Sequence, residues 1–527
     1  MAQSHSSRRP PIGDLLMEGA NSRKSRRLAR GQVLLLAAMA MVVLIGFVAL
    51  ATDMGLLWSQ RRQMQTAADA AAIAGVSALR NSESIASAAD EVASLNGFTN
   101  GTNSAIVTVN NPPASGPYSG NSNYVEVVIA QAEPTYFLRA LGYNAINVST
   151  RAVSGAVNGP ACIYALDTSA SKAINLIGSG FNINASCGMI DNSTSASALS
   201  ATGTGTVTAA SIGVAGNESL TGSLTFVPTP QVNTAPIADP LASRQGPAVG
   251  NPIQQSVTNS GAYSVSGNNQ AIVIPSAVYG SGISIAGSSD VVTFSGGTYG
   301  NHISITGSSD SVTFNPGQYQ HSSTGHSIDI SGNAATISFN PGTYTFLGSV
   351  NIVGSSTVTL QPGTYFGGIA ITGQANVTFS PGTYILAGGG LSVTGTSALS
   401  GSGVTFYDTD ATGYAYGPIS LTGGNATADL SAPTSGAMEG LLFFQDRSIP
   451  AGSAASSLTG NVSNIFDGAM YFPTTALTYT GNSSTSGYTF LIADTITLTG
   501  SQITMTLGNN YSSLTDGSPI QSSALYE

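Results

Sequence analysis

The chain has 527 residues, of which 42% are hydrophobic and only 8% are charged, and its net charge at pH 7 is −10. Seven of the 15 basic residues precede residue 31, so the rest of the chain is strongly acidic, which excludes nucleic acid as a natural partner. Gly, Ser, Thr and Asn are abundant, yet short Val, Ile, Phe and Tyr alternations from about residue 160 indicate strands rather than disorder.

The first 57 residues predict a cytoplasmic tail and a membrane anchor. Residues 1–30 are polar, Ser-rich and basic, which is typical of a disordered tail and predicts a cytoplasmic N-terminus. From Gly31 to Thr52 there is no charged residue, and a helix of this length spans about 33 Å, enough to cross a bilayer. No clear cleavage site follows, so we expect residues 31–57 to stay as one transmembrane helix in the inner membrane, with the C-terminal bulk in the periplasm or at the cell surface.

A polar pattern follows the apolar run and continues into an Ala-rich helix. Its positions, including the Gly before the run, are Gly31, Asp53, Gly55, Arg61, Arg62, Gln65, Asp69, Ala70, Ala71, Ala74 and Gly75. This pattern resembles the N-terminal segment of the TadE/TadG-like proteins of the Tad (Flp pilus) assembly system. The resemblance implies a role in pilus assembly, with other Tad/Flp membrane proteins as partners.

Five polar residues of this pattern are candidates for contacts with that machinery: Asp53, Arg61, Arg62, Gln65 and Asp69. An ordinary anchor has no reason to keep such residues in register beside the membrane. The alternative is a helix that simply leaves the bilayer with arginines at its interface.

Residues 58–157 predict a helical extension followed by a small α+β domain. The Ala-rich pattern continues as helix to about Asn96. Strands are predicted at Ala105–Val109, Tyr124–Ala130 and Ile146–Val153 because apolar and polar residues alternate there.

An internal repeat of about 20 residues runs from about Tyr263 to Phe406. Each repeat carries an Ile/Val pair, a Val/Phe pair and a Gly-x-Tyr, and both members of a pair point to one side of a strand because they are spaced i, i+2. One repeat has Ile283, Ile285, Val292, Phe294 and Tyr299. Three short strands per coil predict a parallel β-helix, so the expected fold class is mainly β, preceded by one transmembrane helix and the small α+β domain.

The regions around the repeat complete the domain prediction. Cys162 and Cys187 are the only cysteines and lie about one coil apart, and neighbouring coils bring equivalent Cα atoms to about 5 Å, so we expect a disulfide. Segments such as Leu442–Asp446 and Ala469–Pro473 resemble the repeat-bearing C-terminal part of some Tad pilus-assembly-like proteins. The predicted regions are a first β-coil region at 158–227, a Pro/Asn-rich linker at 228–260, β-helix repeats at 261–430 and a C-terminal β region at 431–527.

Two motifs resemble metal sites, but their surroundings do not fit. The residues from Asp167 to Ser171 have the Asp-x-Ser-x-Ser pattern of von Willebrand A domains, yet strand-turn repeats follow instead of amphipathic helices, which favours a polar turn. His302, His321 and His326 have neither a Cys nor a close acidic partner. We therefore expect no metal and no cofactor.

β-Helices also host polysaccharide lyases and glycoside hydrolases. No Lys or Arg lies between Gln245 and Asp446, which argues strongly against a polysaccharide lyase. Asp290 and Asp310 occupy matching Gly-Ser-Ser-Asp turns one coil apart and could form a hydrolase pair. Other coils have Ala or Asn at this corner, so the position is more typical of a turn.

These observations predict a membrane-anchored, non-enzymatic component of Tad/Flp-type pilus assembly or surface attachment that displays an exported β-helix. The pilus assignment depends on the resemblance. One alternative is a pilus-independent adhesin whose Thr-, Ser- and Asn-rich faces bind surface glycans. Another is a β-helix glycoside hydrolase that uses Asp290 and Asp310.

Overall fold

The structure is a computed structural model that divides into two compact units, Met1–Val157 with Ser523–Glu527 and Asn158–Ser522, called here the N-terminal unit and the solenoid. The N-terminal unit contains an apolar helix and a small antiparallel sheet, and the solenoid is a parallel β-solenoid of about 14 turns. The predicted fold class is confirmed. The residues described are 22–80, 83–158, 161–253, 261–277, 279–321, 325–423, 425–459, 464–480, 487–501, 504–515 and 517–525.

Two helices open the N-terminal unit. Helix α1 is continuous over Ser22–Arg80, so it begins inside the segment predicted to be a disordered tail; residues 1–21 of that tail lie outside the described residues. Helix α2 covers Ile85–Leu95, and its N-cap Ser84 accepts a hydrogen bond from the N–H of Ser87. The predicted Ala-rich extension is thus part of α1, followed by a separate short helix.

Three antiparallel strands pack against these helices. They are β1 (Ile106–Asn110), β2 (Tyr124–Pro134) and β3 (Ala145–Asn158), with β2 in the centre. A single 3-10 turn, Leu138–Leu141, lies in the β2–β3 connection. The C-terminal strand, Gln521–Leu525, is the fourth member of this sheet.

The solenoid has three faces of parallel strands, each named here after its inward column. The strands of the Ile face, in their order in space, are Tyr263–Val265, Ile283–Ile285, Ile303–Ile305, His326–Ile330, Ser349–Gly354, Ile369–Gly373, Leu391–Val393, Ile419–Leu421, Ser456–Leu458, Leu477–Tyr479, Ile496–Thr499, Ile174–Ala185, Leu199–Thr208 and Glu218–Val227, with Thr504–Leu507 beside Ile174–Ala185. The strands of the Phe face are Ala271–Ile274, Val291–Phe294, Ser311–Phe314, Thr336–Phe339, Thr357–Leu360, Asn376–Phe379, Ala398–Ser402 and Thr427–Ser431.

The third face, the Tyr face, contains the Gly-x-Tyr strands. Its strands, in their order in space, are Gly297–Tyr299, Gly317–Tyr319, Tyr344–Phe346, Gly363–Phe366, Gly382–Ala387, Val404–Thr409, Leu441–Gln445, Ile465–Phe472, Thr489–Ala493, Ala161–Ala165, Gly188–Asp191, Ile212–Val214 and Gln231–Val232. The first part of Ile465–Phe472 also pairs with the last strand of the Phe face. In each face the strands therefore stack in register along one direction.

The predicted inward columns form the core of the solenoid. The rings of Tyr299 and Tyr319 are parallel with centroids 5.2 Å apart, and those of Phe294 and Phe314 are 4.4 Å apart. Tyrosine hydroxyls at this depth need partners. The hydroxyl of Tyr384, for example, donates to the carbonyl oxygens of residues 380 and 360, at 2.9 and 3.0 Å.

The order of coils in space differs from their order in sequence. The strand Thr489–Ala493 pairs with Ala161–Ala165, and Ile496–Thr499 pairs with Ile174–Ala185. The first coils of the chain therefore extend the stack beyond the last ones. Within those first coils, Cys162 and Cys187 form a disulfide with Cα atoms 5.6 Å apart.

A segment outside the coils, residues 233–253, leads from the far end of this stack towards its beginning. We call it the strap, and it runs along the outside of the Tyr face, coil after coil. In chain order its contacts are Ile237 with Asn192, Asp239 with Tyr471, Leu241 with Arg447, Gly246 with Tyr407 and Ile253 with Gln318. The strap thus leads the chain back along the stack, as the order of the coils requires.

Candidate interaction site on the N-terminal unit

From Leu34 to Thr52, α1 carries no charged residue and its side chains are almost all exposed within the structure. Leu36 is 64% exposed and Val42 71%, and the most apolar window of the helix is 0% buried within the structure. A helix that is apolar all round is stable when lipid or protein surrounds it. By length and composition this helix could span a membrane.

The second half of α1 has a buried face of small residues. Its buried residues recur every three or four positions, and they are Met64, Ala67, Ala68, Ala71, Ala72 and Val76. A Cβ atom at Gly75 would lie 2.8 Å from Cγ1 of Val125 on β2. The Ala- and Gly-rich sequence therefore allows the helix to approach the sheet closely.

The carboxylate of Asp53 forms its hydrogen bonds within its own chain. Its side chain is 2% exposed, and its two carboxylate oxygens accept hydrogen bonds from the backbone N–H groups of Tyr136 (3.1 Å), Phe137 (2.8 Å) and Leu138 (2.6 Å). These groups lead into the 3-10 turn after β2. Asp53 thus holds the β2–β3 connection against α1 rather than facing solvent.

Gln65 and Asp69 lie one helical turn apart and contact each other. The side-chain N–H of Gln65 donates to Oδ1 of Asp69 at 2.7 Å and to the backbone carbonyl of Arg151 on β3 at 3.1 Å. Both side chains are half-buried. This pair attaches the helix to β3 of the sheet.

Arg61 and Arg62 are the two candidates that remain exposed. Within the part of the chain that the structure describes, neither guanidinium forms an ion pair. They follow Asp53 by eight and nine positions, about 12 to 14 Å along the helix axis. Two adjacent cations are therefore available to another molecule just beyond the apolar run.

Comparison with known proteins singles out the same stretch. A family model described as putative Flp pilus-assembly TadE/G-like matches residues 31–78. We call these residues the TadE/G-like segment, after the model that they match. This match confirms the resemblance seen in the sequence, and the segment contains all five candidate residues. A search of curated proteins and a search of solved structures each found no match.

Beside the TadE/G-like segment, the sheet contains an ion pair that sequence reasoning missed. Glu126 on β2 is 2% exposed and accepts hydrogen bonds from the guanidinium of Arg151, the side chain of Asn110 (2.7 Å) and the N–H of Ala114 (3.0 Å). Burial raises the pKa of Glu126, but these hydrogen bonds outweigh it and hold the pKa below its usual value. The available signal was Glu126, an acidic residue between the apolar Val125 and Val127.

The hydrolase pair is buried in the solenoid. Asp290 is 0% exposed and Asp310 1%, and each points back at the preceding corner. Oδ1 of Asp290 accepts the N–H of Gln270 at 2.8 Å, and Oδ1 of Asp310 accepts the N–H of Asp290 at 2.9 Å. This geometry caps turns and gives a soluble glycan no access to either carboxyl group.

The sequence motifs that resemble metal sites have local partners. The expectation that the histidines have no close acidic partner is wrong for His302, which contacts Asp329 at 3.1 Å. His326 contacts Ser349, and Asp167 accepts the N–H groups of residues 169 and 170 in a tight polar turn. Among the described residues no group of three His, Cys, Asp or Glu side chains is placed to hold a metal ion.

A second feature missed by sequence reasoning joins the strap to the Tyr face. The rings of Phe444 and Tyr471 stack outward with centroids 5.1 Å apart, and the guanidinium carbon of Arg447 lies 5.8 and 5.0 Å from them. Arg447 also donates to the carbonyls of Leu241 and Arg244 in the strap. A single Arg after a long stretch without basic residues was the only sequence signal.

Proposed function

We propose that this protein is a membrane-anchored, non-enzymatic component of Tad/Flp-type pilus assembly or surface attachment, and that it displays an exported β-solenoid. The observation that carries the proposal is the TadE/G-like match at residues 31–78. The uncovered apolar helix in the same stretch supports an anchor. In this proposal the basic tail lies in the cytoplasm, α1 crosses the inner membrane, and the C-terminal bulk lies in the periplasm or at the cell surface.

We assign contacts with other Tad/Flp membrane proteins to Arg61 and Arg62. Of the five candidates these two are exposed, whereas Asp53, Gln65 and Asp69 make hydrogen bonds within the chain. Guanidinium groups pair well with carboxylates in a partly apolar surrounding because they donate two parallel hydrogen bonds. A partner would therefore present acidic side chains close to the membrane surface.

The test is a count of surface filaments by electron microscopy in cells that lack this protein. We expect filaments to disappear, to return with the wild-type chain and to stay absent with the Arg61→Ala/Arg62→Ala variant at equal protein level. The matched control is Gln63→Ala, an exposed neighbour on the same helix, which should restore filaments. Unchanged filament numbers in cells without the protein would refute the assembly role.

A pilus-independent adhesin is the second candidate, favoured by the outward side of the Phe face. Side chains between the buried Val and Phe positions are mainly hydroxyls and contact each other, as in Thr313 with Ser338 (3.2 Å) and Thr378 with Ser400 (3.1 Å). Such a flat hydroxyl surface suits weak binding of glycans. A glycan array probed with the full chain tests this, and no binding to any glycan would remove the candidate.

A further inference from the structure

The connection between β2 and β3 has an exposed apolar tip. Four large side chains within eight residues are exposed to solvent in the structure: Tyr136 is 69% exposed, Phe137 50%, Leu141 73% and Tyr143 61%. A clustered apolar surface of this kind marks a contact with a partner or a membrane. Between Pro134 and Asn158 the sequence also has no acidic residue, in contrast to the acidic remainder of the chain.

Asp53 fixes the position of this tip along α1. Its carboxylate binds the N–H groups of Tyr136, Phe137 and Leu138, so the tip lies beside the helix at the level of Asp53. From Leu34, where the apolar span begins, to Asp53 the helix rises about 28 Å, close to the thickness of a bilayer core. The tip is therefore held at the level where the helix would leave the lipid.

Backbone hydrogen bonds define the shape of the tip. Pro134 pairs with Ala145 as the last rung of the hairpin, and the N–H of Thr135 donates to the carbonyl of Asn144 at 3.1 Å. The N–H of Tyr143 closes the 3-10 turn on the carbonyl of Leu138 at 3.2 Å. A preformed apolar surface loses little conformational entropy when it binds.

Helix α1 has matching side chains at the same level. Met54 is 50% exposed and Trp58 69%, and Arg139 in the 3-10 turn is exposed as well. Tryptophan and tyrosine concentrate at the boundary between lipid tails and headgroups, and arginine beside them can pair with anionic headgroups. The composition of the tip fits this layer better than water.

We propose that residues 136–143 form a second membrane contact, in which the tip of the β2–β3 connection lies in the headgroup layer beside α1 and Asp53 holds it there. The occupant of this apolar surface is the lipid of the leaflet through which α1 leaves. This inference rests on the anchor in the proposed function. With two contacts, the N-terminal unit would have a fixed orientation on the membrane, which a single helix does not provide.

The test uses tryptophan quenching by lipids brominated on their acyl chains, with the full chain in vesicles of phosphatidylcholine and phosphatidylglycerol. The chain has one tryptophan, so Trp58→Phe gives a silent background for single tryptophans. Tyr136→Trp reports on the tip and Val43→Trp on the centre of the span. Ile73→Trp is the matched exposed control, since it is 38% exposed and about 30 Å beyond Asp53 along the helix.

We expect strong quenching at Val43→Trp, mainly by lipids brominated near the end of the acyl chain. At Tyr136→Trp we expect strong quenching mainly by lipids brominated near the headgroup. Ile73→Trp should not be quenched. If Val43→Trp is quenched but Tyr136→Trp behaves like Ile73→Trp, the membrane contact is refuted while the anchor stands. If Val43→Trp is not quenched, the anchor and this inference fail together.

A further variant tests the role of Asp53. Adding Asp53→Ala to the Tyr136→Trp chain removes the acceptor of three N–H groups and should weaken shallow quenching, while Val43→Trp in the same background keeps its quenching. Equal quenching with and without Asp53 would refute Asp53 as the group that positions the tip.

Discussion

The N-terminal unit and the solenoid achieve stability in opposite ways. In the N-terminal unit small residues let a helix approach a sheet, and an ionised Glu126 is held by hydrogen bonds from Arg151 and its neighbours. In the solenoid, large side chains stack in columns, and carboxyl groups such as Asp191 are buried where burial raises their pKa. One unit depends on a few specific groups, and the other on many repeated contacts.

The largest effect should come from an interruption of a solenoid column. Tyr319→Ala leaves a cavity between Tyr299 and Tyr344 and removes the hydrogen bond from its hydroxyl to the carbonyl of Asn315. We expect the free energy of unfolding to fall by about 3 to 5 kcal/mol, measured by denaturant titration of the full chain in detergent. Thr313→Ala, an outward position in the same coil, should cost less than about 0.5 kcal/mol.

The disulfide should contribute slightly less. Reduction of the bond between Cys162 and Cys187 releases a loop with a sequence separation of 25 residues, and we expect this to lower the free energy of unfolding by about 3 kcal/mol. Mass spectrometry of the unreduced chain checks that the two cysteines are joined. Free thiols at both positions would contradict the stacking of the first two coils.

In the N-terminal unit, Glu126→Gln should remove the negative charge that pairs with the guanidinium of Arg151. We expect a loss of about 2 kcal/mol at neutral pH, localised to β1–β3 and measured by hydrogen–deuterium exchange of the full chain. Because the pKa of Glu126 is lower in the folded state, its contribution is present above the unfolded pKa and is lost as the pH falls through the folded pKa. Protection of β2 should therefore decrease in acid for the wild type, and less for the variant.

Asp191 in the solenoid should make the free energy of unfolding depend on pH in the opposite direction. Burial, partly offset by hydrogen bonds from the N–H groups of Ser193 and Ile174, raises its pKa from 3.8 to about 6. The folded state therefore binds the proton more tightly, and the free energy of unfolding should fall as the pH rises from about 4 to about 6. Asp191→Asn should remove this decline, for which the shift from 3.8 to about 6 sets an upper limit of about 3 kcal/mol. The same slope in both chains would contradict a buried, protonated Asp191.

The sequence predicted the solenoid core well because the i, i+2 spacing of buried pairs is a local signal. Ile283 and Ile285 are buried as expected, and Tyr299 is fully buried in its column. The order of the coils was not predictable, since the pairing of Thr489–Ala493 with Ala161–Ala165 joins positions more than 300 residues apart without a local pattern. The strap follows from that order.

In the candidate site, the sequence pattern located the right segment but not the role of each residue. Asp53 looks like Arg61 and Arg62 in sequence, as a polar residue at the end of an apolar helix. Its hydrogen bonds to the N–H groups of residues 136–138 depend on a hairpin that lies 83 to 85 positions away. Helical spacing cannot show whether such a contact faces the same chain or a partner.

In the proposed function, the TadE/G-like segment, rather than the solenoid, contacts other membrane proteins of a pilus machine. A photoreactive amino acid placed at Arg62 and, separately, at Thr313 of the full chain tests it directly in cells. We predict that position 62 forms an adduct with another Tad/Flp pilus-assembly membrane protein and that position 313 does not. Adducts with such proteins at position 313 alone, or at neither position, would contradict the claim.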